Sequence, residues 1–442
     1  MMQEYFADLA DFLTSLLSGN EISTCSFAAE DSDFVRLNRS AIRQAGSVSQ
    51  RTLSCDLIEG LRHASGELTL SGDLALDRPR LAALLEQLRE QLPYLPEDPH
   101  LLYATEVQSS EHLGDNHLPE DSGAVVSAVL DAGHGHDLVG VYAAGGIHSG
   151  FANSFGQRNW FSTYTYNLDW SLYLQADKAV KSRYAGFVWD PAEFSHKMDA
   201  AKAQLAGLAK PARTIEPGEY RVYLAPTALV EIVELLSWGG FGLKDHRTKQ
   251  TTLLKMLEES LTLSPQVTLQ ENTADGVAAN FQAAGFLKPD RVTLIEAGAF
   301  GECLVSPRSA KEYGVPTNGA SSWEMPASLD LAAGTIPDSE VLRQLDTGVY
   351  INNLWYLNYS DRTACRITGM TRFATFWVEH GEIQAPLNVM RFDETLYRLL
   401  GDKLLGLTAE RDFLLDPSTY HARSTSSFRG PGALVEGFLF TL

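Results

Sequence analysis

The chain is short of what would tie it to a membrane, an oxidising compartment or a nucleic acid. Across 442 residues there are four cysteines, Cys25, Cys55, Cys303 and Cys365. Widely scattered and without a CxxC pair, they suggest neither a disulfide framework nor a zinc ribbon, and they fit a reducing compartment. No apolar run of about 18 residues is present to span a bilayer. No Lys or Arg precedes Arg36, and Glu4, Asp8 and Asp11 make the opening segment acidic. A secretory signal begins the opposite way, so a bacterial-type cytoplasm is the expected location. Cations are scarce overall: 35 Lys and Arg against 56 Asp and Glu leave a formal net charge of −21. Nucleic-acid backbones are bound through clustered cations that displace counterions, so this balance argues against direct binding.

Familiar catalytic motifs are missing too. There is no GxSxG, and Ser424, Ser426 and Ser427 sit in a polar segment that reads as a loop. Gly298, Gly301, Gly314 and Gly319 do not form a phosphate loop. Cys303 and Cys365 read as buried, inert thiols. Asp245-His246-Arg247 reads as a solvated loop or a partner contact. Gly133-His134-Gly135-His136, with Asp131, Asp137 and His148, is the one metal-like cluster. On a strand, His134 and His136 would point to one face. Spacing fixes no third ligand, and a polar, Gly-rich surface loop is the competing reading.

What is present is globular: 44% apolar and 21% charged residues, in a length that predicts two or three domains. Phe6, Leu9, Ala10, Leu13, Leu16 and Leu17 recur at helical spacing, and Gly19-Asn20 ends the run. Strand-like stretches follow at 24–28, 34–37 and 52–57. Leu81, Leu84, Leu85, Leu88 and Leu92 predict a second helix closed by Pro93 and Pro96. Residues 93–123 read as a connection. Residues 139–149 and 153–173 predict two strands of a sheet, with a turn at Gly156. Asp190-Pro191-Ala192-Glu193 carries an N-cap, a first-turn proline and an acid, and predicts a helix to about Lys210.

Further on, residues 220–224 predict a strand and 228–238 an apolar helix closed by Gly239-Gly240. A strand at 292–297, a helical turn at 309–313, a helix from 393 to about 405 and a final strand at 433–441 complete the reading. The expected fold is α+β, with an N-terminal α/β sandwich-like domain and a β-rich C-terminal domain built on a partly closed, mostly antiparallel sheet. The expected units are residues 1–120, 121–212 and 213–442.

The stretch 347–386 organises the rest. Residues 349–359 set Asn352, Asn353 and Asn358 among aromatic and aliphatic side chains, a wall with amide hydrogen-bonders. Residues 371–379 alternate, with Phe373, Thr375 and Trp377 on one face and Ala374, Phe376 and Val378 on the other, so both faces are expected to be covered. Glu379-His380-Gly381-Glu382 then turns into a strand at 383–387.

With Thr368-Gly369 as a turn, Phe376-Trp377-Val378-Glu379, Gly381-Glu382-Ile383 and Pro386, this stretch resembles the C-terminal signature of the TldD/PmbA family, also called modulators of DNA gyrase. Phe34-Val35-Arg36 and Ile42 resemble its N-terminal pattern. The resemblance implies one of two branches: a TldD-like zinc peptidase with a helical HExxxH motif and a distant cysteine ligand, or a PmbA/TldE-like partner that lacks them. In HExxxH the two His rings share a tetrahedral ion while the Glu takes a proton from bound water. No HExxxH exists here. Matching Gly240-Phe241-Gly242-Leu243 to the family's Gly-His-Gly-Leu puts Leu236, Ser237 and Phe241 at the His, Glu and His positions, and no cysteine follows Cys365. The resemblance therefore implies the partner branch: no metal in this chain, zinc in a TldD-like subunit, and an extended peptide as shared substrate. A sheet edge near Asn352, Asn353, Tyr359, Arg366 and Thr368 is the expected peptide site from local chemistry. Two alternatives stand beside it, a metal-dependent hydrolase at His134 and His136 and a non-enzymatic scaffold homodimer.

Overall fold

A computed structural model describes residues 2–176 and 178–442. The N-terminal half contains α1 (Met2–Ser15), β1 (Ile22–Asn38), β2 (Ala41–Glu59), β3 (Arg62–Thr69), α2 (Leu74–Gln91), β4 (Ser110–Leu113), α3 (Ser122–Gly133), β5 (Asp137–Asn153), β6 (Arg158–Gln175), β7 (Lys178–Gly186) and α4 (Pro191–Leu208). Its strands form one seven-stranded sheet in the order β3-β2-β1-β5-β6-β4, with β7 also on β6. Cys25, Phe27, Ala29, Val35 and Leu37 share one face of β1 because side chains alternate along a strand. The first three pack with α1 and α2, and the last two with α3 and α4. The helices obey local rules: Phe6, Leu9, Ala10 and Leu13 are the buried stripe of α1. Asp190 caps α4 by accepting from the Ala192 N–H, with Phe194, Met198, Ala201 and Leu205 buried below.

The C-terminal half contains β8 (Gly218–Leu224), α5 (Pro226–Leu235), α6 (Leu243–Arg247), α7 (Leu254–Glu258), β9 (Leu269–Asn272), β10 (Arg291–Glu296), β11 (Ala299–Phe300), α8 (Pro307–Tyr313), β12 (Ser328–Leu331), α9 (Val341–Leu345), β13 (Gly348–Asp361), β14 (Arg366–Glu379), β15 (Glu382–Pro386), β16 (Arg391–Thr395), β17 (Leu404–Leu407), β18 (Asp412–Leu415), β19 (Ser427–Gly430) and β20 (Ala433–Phe440). One sheet runs β11-β10-β9-β12-β19-β18. The other runs β13-β8-β20-β16-β14, and β14 returns to pair with β13, so five strands close a ring. Within it β8 and β20 are antiparallel neighbours, with Gly218 opposite Phe440. The large core gathers Val222, Ile351, Phe392 and Phe438 of the ring with Leu229, Ile232 and Val233 of α5.

Among the contacts that join the halves are one face of β14 and a strap that precedes β19. Ala374 and Phe376, on the second face of β14, enter the core of α4 and the first sheet, so both faces of β14 are covered as its alternation predicts. Residues 416–426 form a strap across the far face of the N-terminal sheet. Its Arg423, only 7% exposed, donates to Ser32 Oγ, the Gly145 carbonyl and both oxygens of Thr165, while its backbone N–H donates to Glu30.

Several expectations change. The stretches at 24–28 and 34–37 are one strand, because the polar residues between them find partners: Glu30 and Ser32 meet Arg423, and Asp33 accepts from Ser47 and Ser122. The expected helix at 393–405 is β16, a π turn at Arg398–Asp402 broken by non-helical Gly401, and β17. Thr368-Gly369 is no turn but lies inside β14, opposite Asp393 and Phe392. A side chain at Gly369 would press on the Phe392 ring at 2.9 Å, so the glycine serves close packing. Helix α3 and strand β7 carried no expectation. The expected boundary at 120/121 falls between β4 and α3, while β1 and β5 on either side of it share one ladder. No helix among the described residues is long and apolar enough to cross a membrane.

Candidate functional site

Where the halves meet, a cleft of about 720 Å³ opens among β7, α4, the ends of β8 and β13, and residues 410–412. Asn352 forms part of its wall. Its side-chain N–H donates at 2.9 Å to the Lys181 carbonyl on β7 and at 2.8 Å to Asn353 Oδ1. Its own carbonyl accepts from Thr227 Oγ1 at 2.6 Å, where α5 begins. Asn352 thus ties the N-terminal sheet to the ring, and Asn353 orients it.

The cleft is lined by opposed charges. Lys197 Nζ on α4 lies 3.4 Å from Asp412 and 3.5 Å from Glu193. Burial works against its charge, but the two carboxylates outweigh it and hold the ammonium pKa above the ordinary value. Asp338 stands at the rim. Partial burial, then repulsion from Glu410 and Asp412, pushes its carboxyl up to about 6. Tyr223 and Tyr350 pack with ring centroids 5.3 Å apart. Burial, followed by Asp338 and Asp412, raises the Tyr350 hydroxyl to about 12, so it stays a neutral donor. Gln204 Oε1, on the cleft wall, is a buried acceptor with no hydrogen-bond partner among the described residues. An N–H donor entering the cleft would satisfy it. The arrangement suits holding polar backbone and charged side chains.

The other sequence-selected residues are spread along the ring. Tyr359 donates through its hydroxyl to the Leu235 carbonyl at 2.7 Å. Arg366 pairs with Asp393 at 3.0 Å, and Thr368 Oγ1 donates to the Phe392 carbonyl. Arg366 and Thr368 lie between β13 and β16, so the sheet edge expected there is already occupied on both sides by ring closure. Of the residues chosen from sequence, Asn352 alone lines the cleft. Lys197, Gln204, Tyr223, Asp338, Tyr350 and Asp412 went unnoticed because they converge from separate elements without a shared spacing.

The degenerate motif positions are core. Helix α5 ends at Leu235, and Leu236, Ser237 and Phe241 are 1%, 9% and 1% exposed. Leu236 and Phe241 belong to the ring's apolar cluster. The Gly240 carbonyl accepts from His246 Nε2 at 2.7 Å and from Thr251 Oγ1 at 3.0 Å. His246 is therefore a buried fastener, not part of a solvated loop, and burial lowers its pKa. Two aliphatic or aromatic side chains and one hydroxyl do not fit a zinc ion. His134 and His136 are not on a strand; they sit in the turn between α3 and β5, where the Gly133 and His136 carbonyls face Ser40 Oγ. No group of three or more His, Cys, Asp and Glu among the described residues is placed to hold a metal.

Residues 217–441 match the family described as the PmbA/TldA metallopeptidase C-terminal domain. No curated protein matches. Among solved structures, TldE from Thermococcus kodakarensis is 14% identical with a TM-score of 0.79, covering 99% of this chain and 100% of its own. Proteins named as DNA gyrase modulators from Thermotoga maritima and Bacteroides thetaiotaomicron are 14% and 16% identical with TM-scores of 0.77, each covering 100% of both chains. The ring that carries the cleft wall is thus the matched domain, and the chain belongs to the PmbA/TldA metallopeptidase family.

Proposed function

We propose that the chain is the PmbA/TldE-like subunit of a TldD/TldE-type metalloprotease complex acting in proteolysis or peptide maturation. In this reading it holds no metal, works in a reducing cytoplasm, and binds extended peptide in the cleft beside Asn352 while a TldD-like subunit supplies zinc. The observation that carries the reading is the packing of Leu236 and Phe241 into the ring core, with Ser237 buried beside them, where the resemblance would otherwise place two imidazoles and a carboxylate. The unsatisfied Gln204 oxygen and the charged cleft walls support a ligand rich in amide N–H groups. Bound zinc is the test, measured by elemental analysis after mild dialysis, followed by peptide cleavage with and without a TldD-like protein. Zinc well below one per chain and cleavage only in the mixture are expected. One tightly held zinc per chain, or cleavage by this chain alone that His134→Ala abolishes, refutes the reading.

A further inference from the structure

The cleft between α4 and the ring carries acid that its own cations leave unbalanced. Lys181 and Arg183 on β7 each lie 3.3 Å from Asp169, and Arg183 is also 3.3 Å from Glu231. Arg411 is held at 2.5 Å by Asp330. None of those three carboxylates belongs to the cleft wall. Lys197 is left to face Glu193, Asp412, Asp338 and Glu410, and it pairs with the first two. Asp338 and Glu410 form no ion pair among the described residues; the Asp338 backbone N–H donates to Glu410 Oε2 at 2.9 Å. Burial and then repulsion from Glu410 and Asp412 raise the Asp338 pKa, a repulsion that a bound cation relieves.

Exposed acids are common on a chain of net charge −21, and the wall beside these makes the difference. Side chains alternate along β8, so Val222 and Leu224 enter the ring core while Tyr223 lines the cleft. Tyr223 is 5% exposed, and its hydroxyl makes no hydrogen bond among the described residues. Buried hydroxyls are nearly always paired, so this oxygen is free to accept from an N–H donor. Gly432 makes room for it, since a Cβ there would come within 2.2 Å. Burial, followed by Tyr350, Asp338, Asp412 and Glu410, holds the Tyr223 pKa well above its ordinary value. Tyr350 packs against Tyr223 with ring centroids 5.3 Å apart, and Val341, Leu342 and Ile383 complete the apolar wall.

Unpaired carboxylates, tyrosine rings and an apolar wall together match a basic side chain, whose alkyl stem packs while its charged head keeps polar partners. Given that the cleft is the peptide site, as proposed above, we propose that it holds a lysine or arginine side chain of the extended peptide. The head lies among Asp338, Glu410 and the Tyr223 oxygen, and the stem runs along Val341, Leu342 and Ile383. The substrate class is then segments that carry a basic residue. A free chain N-terminus offers the same charge without a stem to cover the apolar wall.

The test is calorimetric titration of the full chain at low salt and pH about 7.5, where Asp338 is charged. The probes are capped hexapeptides of alanine and serine with lysine, arginine, norleucine or glutamate at one central position. The lysine and arginine peptides are expected to bind at least about tenfold more tightly than the norleucine peptide, which keeps the stem and drops the charge, and the glutamate peptide more weakly still. The lysine advantage is expected to shrink as salt rises. Asp338→Asn/Glu410→Gln, at two exposed positions, is expected to bring the lysine peptide within about threefold of norleucine. Equal affinity for lysine and norleucine in wild type overturns the proposal and leaves peptide binding in the cleft standing. No binding of any peptide overturns both. A lysine preference that survives the double variant overturns the proposal, because the basic residue then sits elsewhere. Tighter binding of an uncapped norleucine peptide than of the capped lysine one also overturns it and assigns the rim to a chain N-terminus. None of these readouts depends on zinc or cleavage.

Discussion

Replacing Arg423 with alanine is expected to release the strap while leaving both halves folded. The guanidinium makes bonds of 3.3 Å to Ser32 Oγ, 3.2 Å to the Gly145 carbonyl, and 2.8 and 2.6 Å to the carbonyl and Oγ1 of Thr165. Burial lowers its pKa to about 10, with Glu30 and Tyr142 resisting that shift, so it stays charged at neutral pH. Removing it strips Ser32 Oγ, the Gly145 carbonyl and both oxygens of Thr165 of a charged donor in a buried setting. Hydrogen bonds from a charged donor contribute about 1.5–3 kcal/mol each, so losing this set costs at least about 3 kcal/mol. A chain of 442 residues with several separate cores does not unfold as one unit, so this loss falls on local opening of residues 416–426. At about 1.4 kcal/mol per factor of ten, a 3 kcal/mol loss opens the strap roughly a hundredfold more often. Hydrogen exchange of amides 416–426 and cleavage after Tyr420 by chymotrypsin should both accelerate to that extent, with Arg423→Lys intermediate because it keeps charge but not the fork. Exchange within about threefold of wild type would refute the reasoning, since the strap would then be held by something other than this arginine.

Phe376→Ala removes a fully buried ring that packs against Gly207 of α4; a loss of about 3–5 kcal/mol is expected in the local stability of β14 and α4, read from hydrogen exchange of their amides. Asn352→Ala deletes two side-chain hydrogen bonds and should cost about 1–2 kcal/mol while weakening peptide binding in the cleft, read by calorimetric titration. Asp338 binds its proton more tightly when folded than unfolded, because its folded pKa is raised. Its contribution is therefore complete below pH 4 and is lost as pH rises through about 6. Asp338→Asn should flatten the melting temperature between those limits and not lower it at pH 7, a small effect at this solvent-reached rim.

Local chemistry was legible and convergence was not. Asp190 and Pro191 announce α4, and the turn before Glu382 is built by His380 and Gly381 at φ 52° and 77°, as its sequence suggests. Residues 393–405 misled because Leu396, Tyr397, Leu399, Leu400 and Leu404 recur as a helix stripe would. Ring closure buries that stretch on several sides at once, and periodicity then loses its meaning. The run Glu30-Asp31-Ser32-Asp33 looked like a break in a strand since its partners, Arg423, Arg51, Ser47 and Ser122, lie up to hundreds of residues away. The cleft failed to register for the same reason. Its tyrosines, lysine and carboxylates are unremarkable one by one, and only the meeting of α4 with the ring gives them shifted pKa values.

The pairing of Gly218 with Phe440 makes the C-terminal half a cassette whose entrance and exit lie side by side. Such a unit can be spliced into a host chain at one point, or recircularised: a short linker from Leu442 back to Gly218, with new ends cut in an exposed loop such as the one around Trp323, preserves every rung of the ring. The topology leaves the order in which the ring's strands are synthesised free to change while their neighbours stay the same.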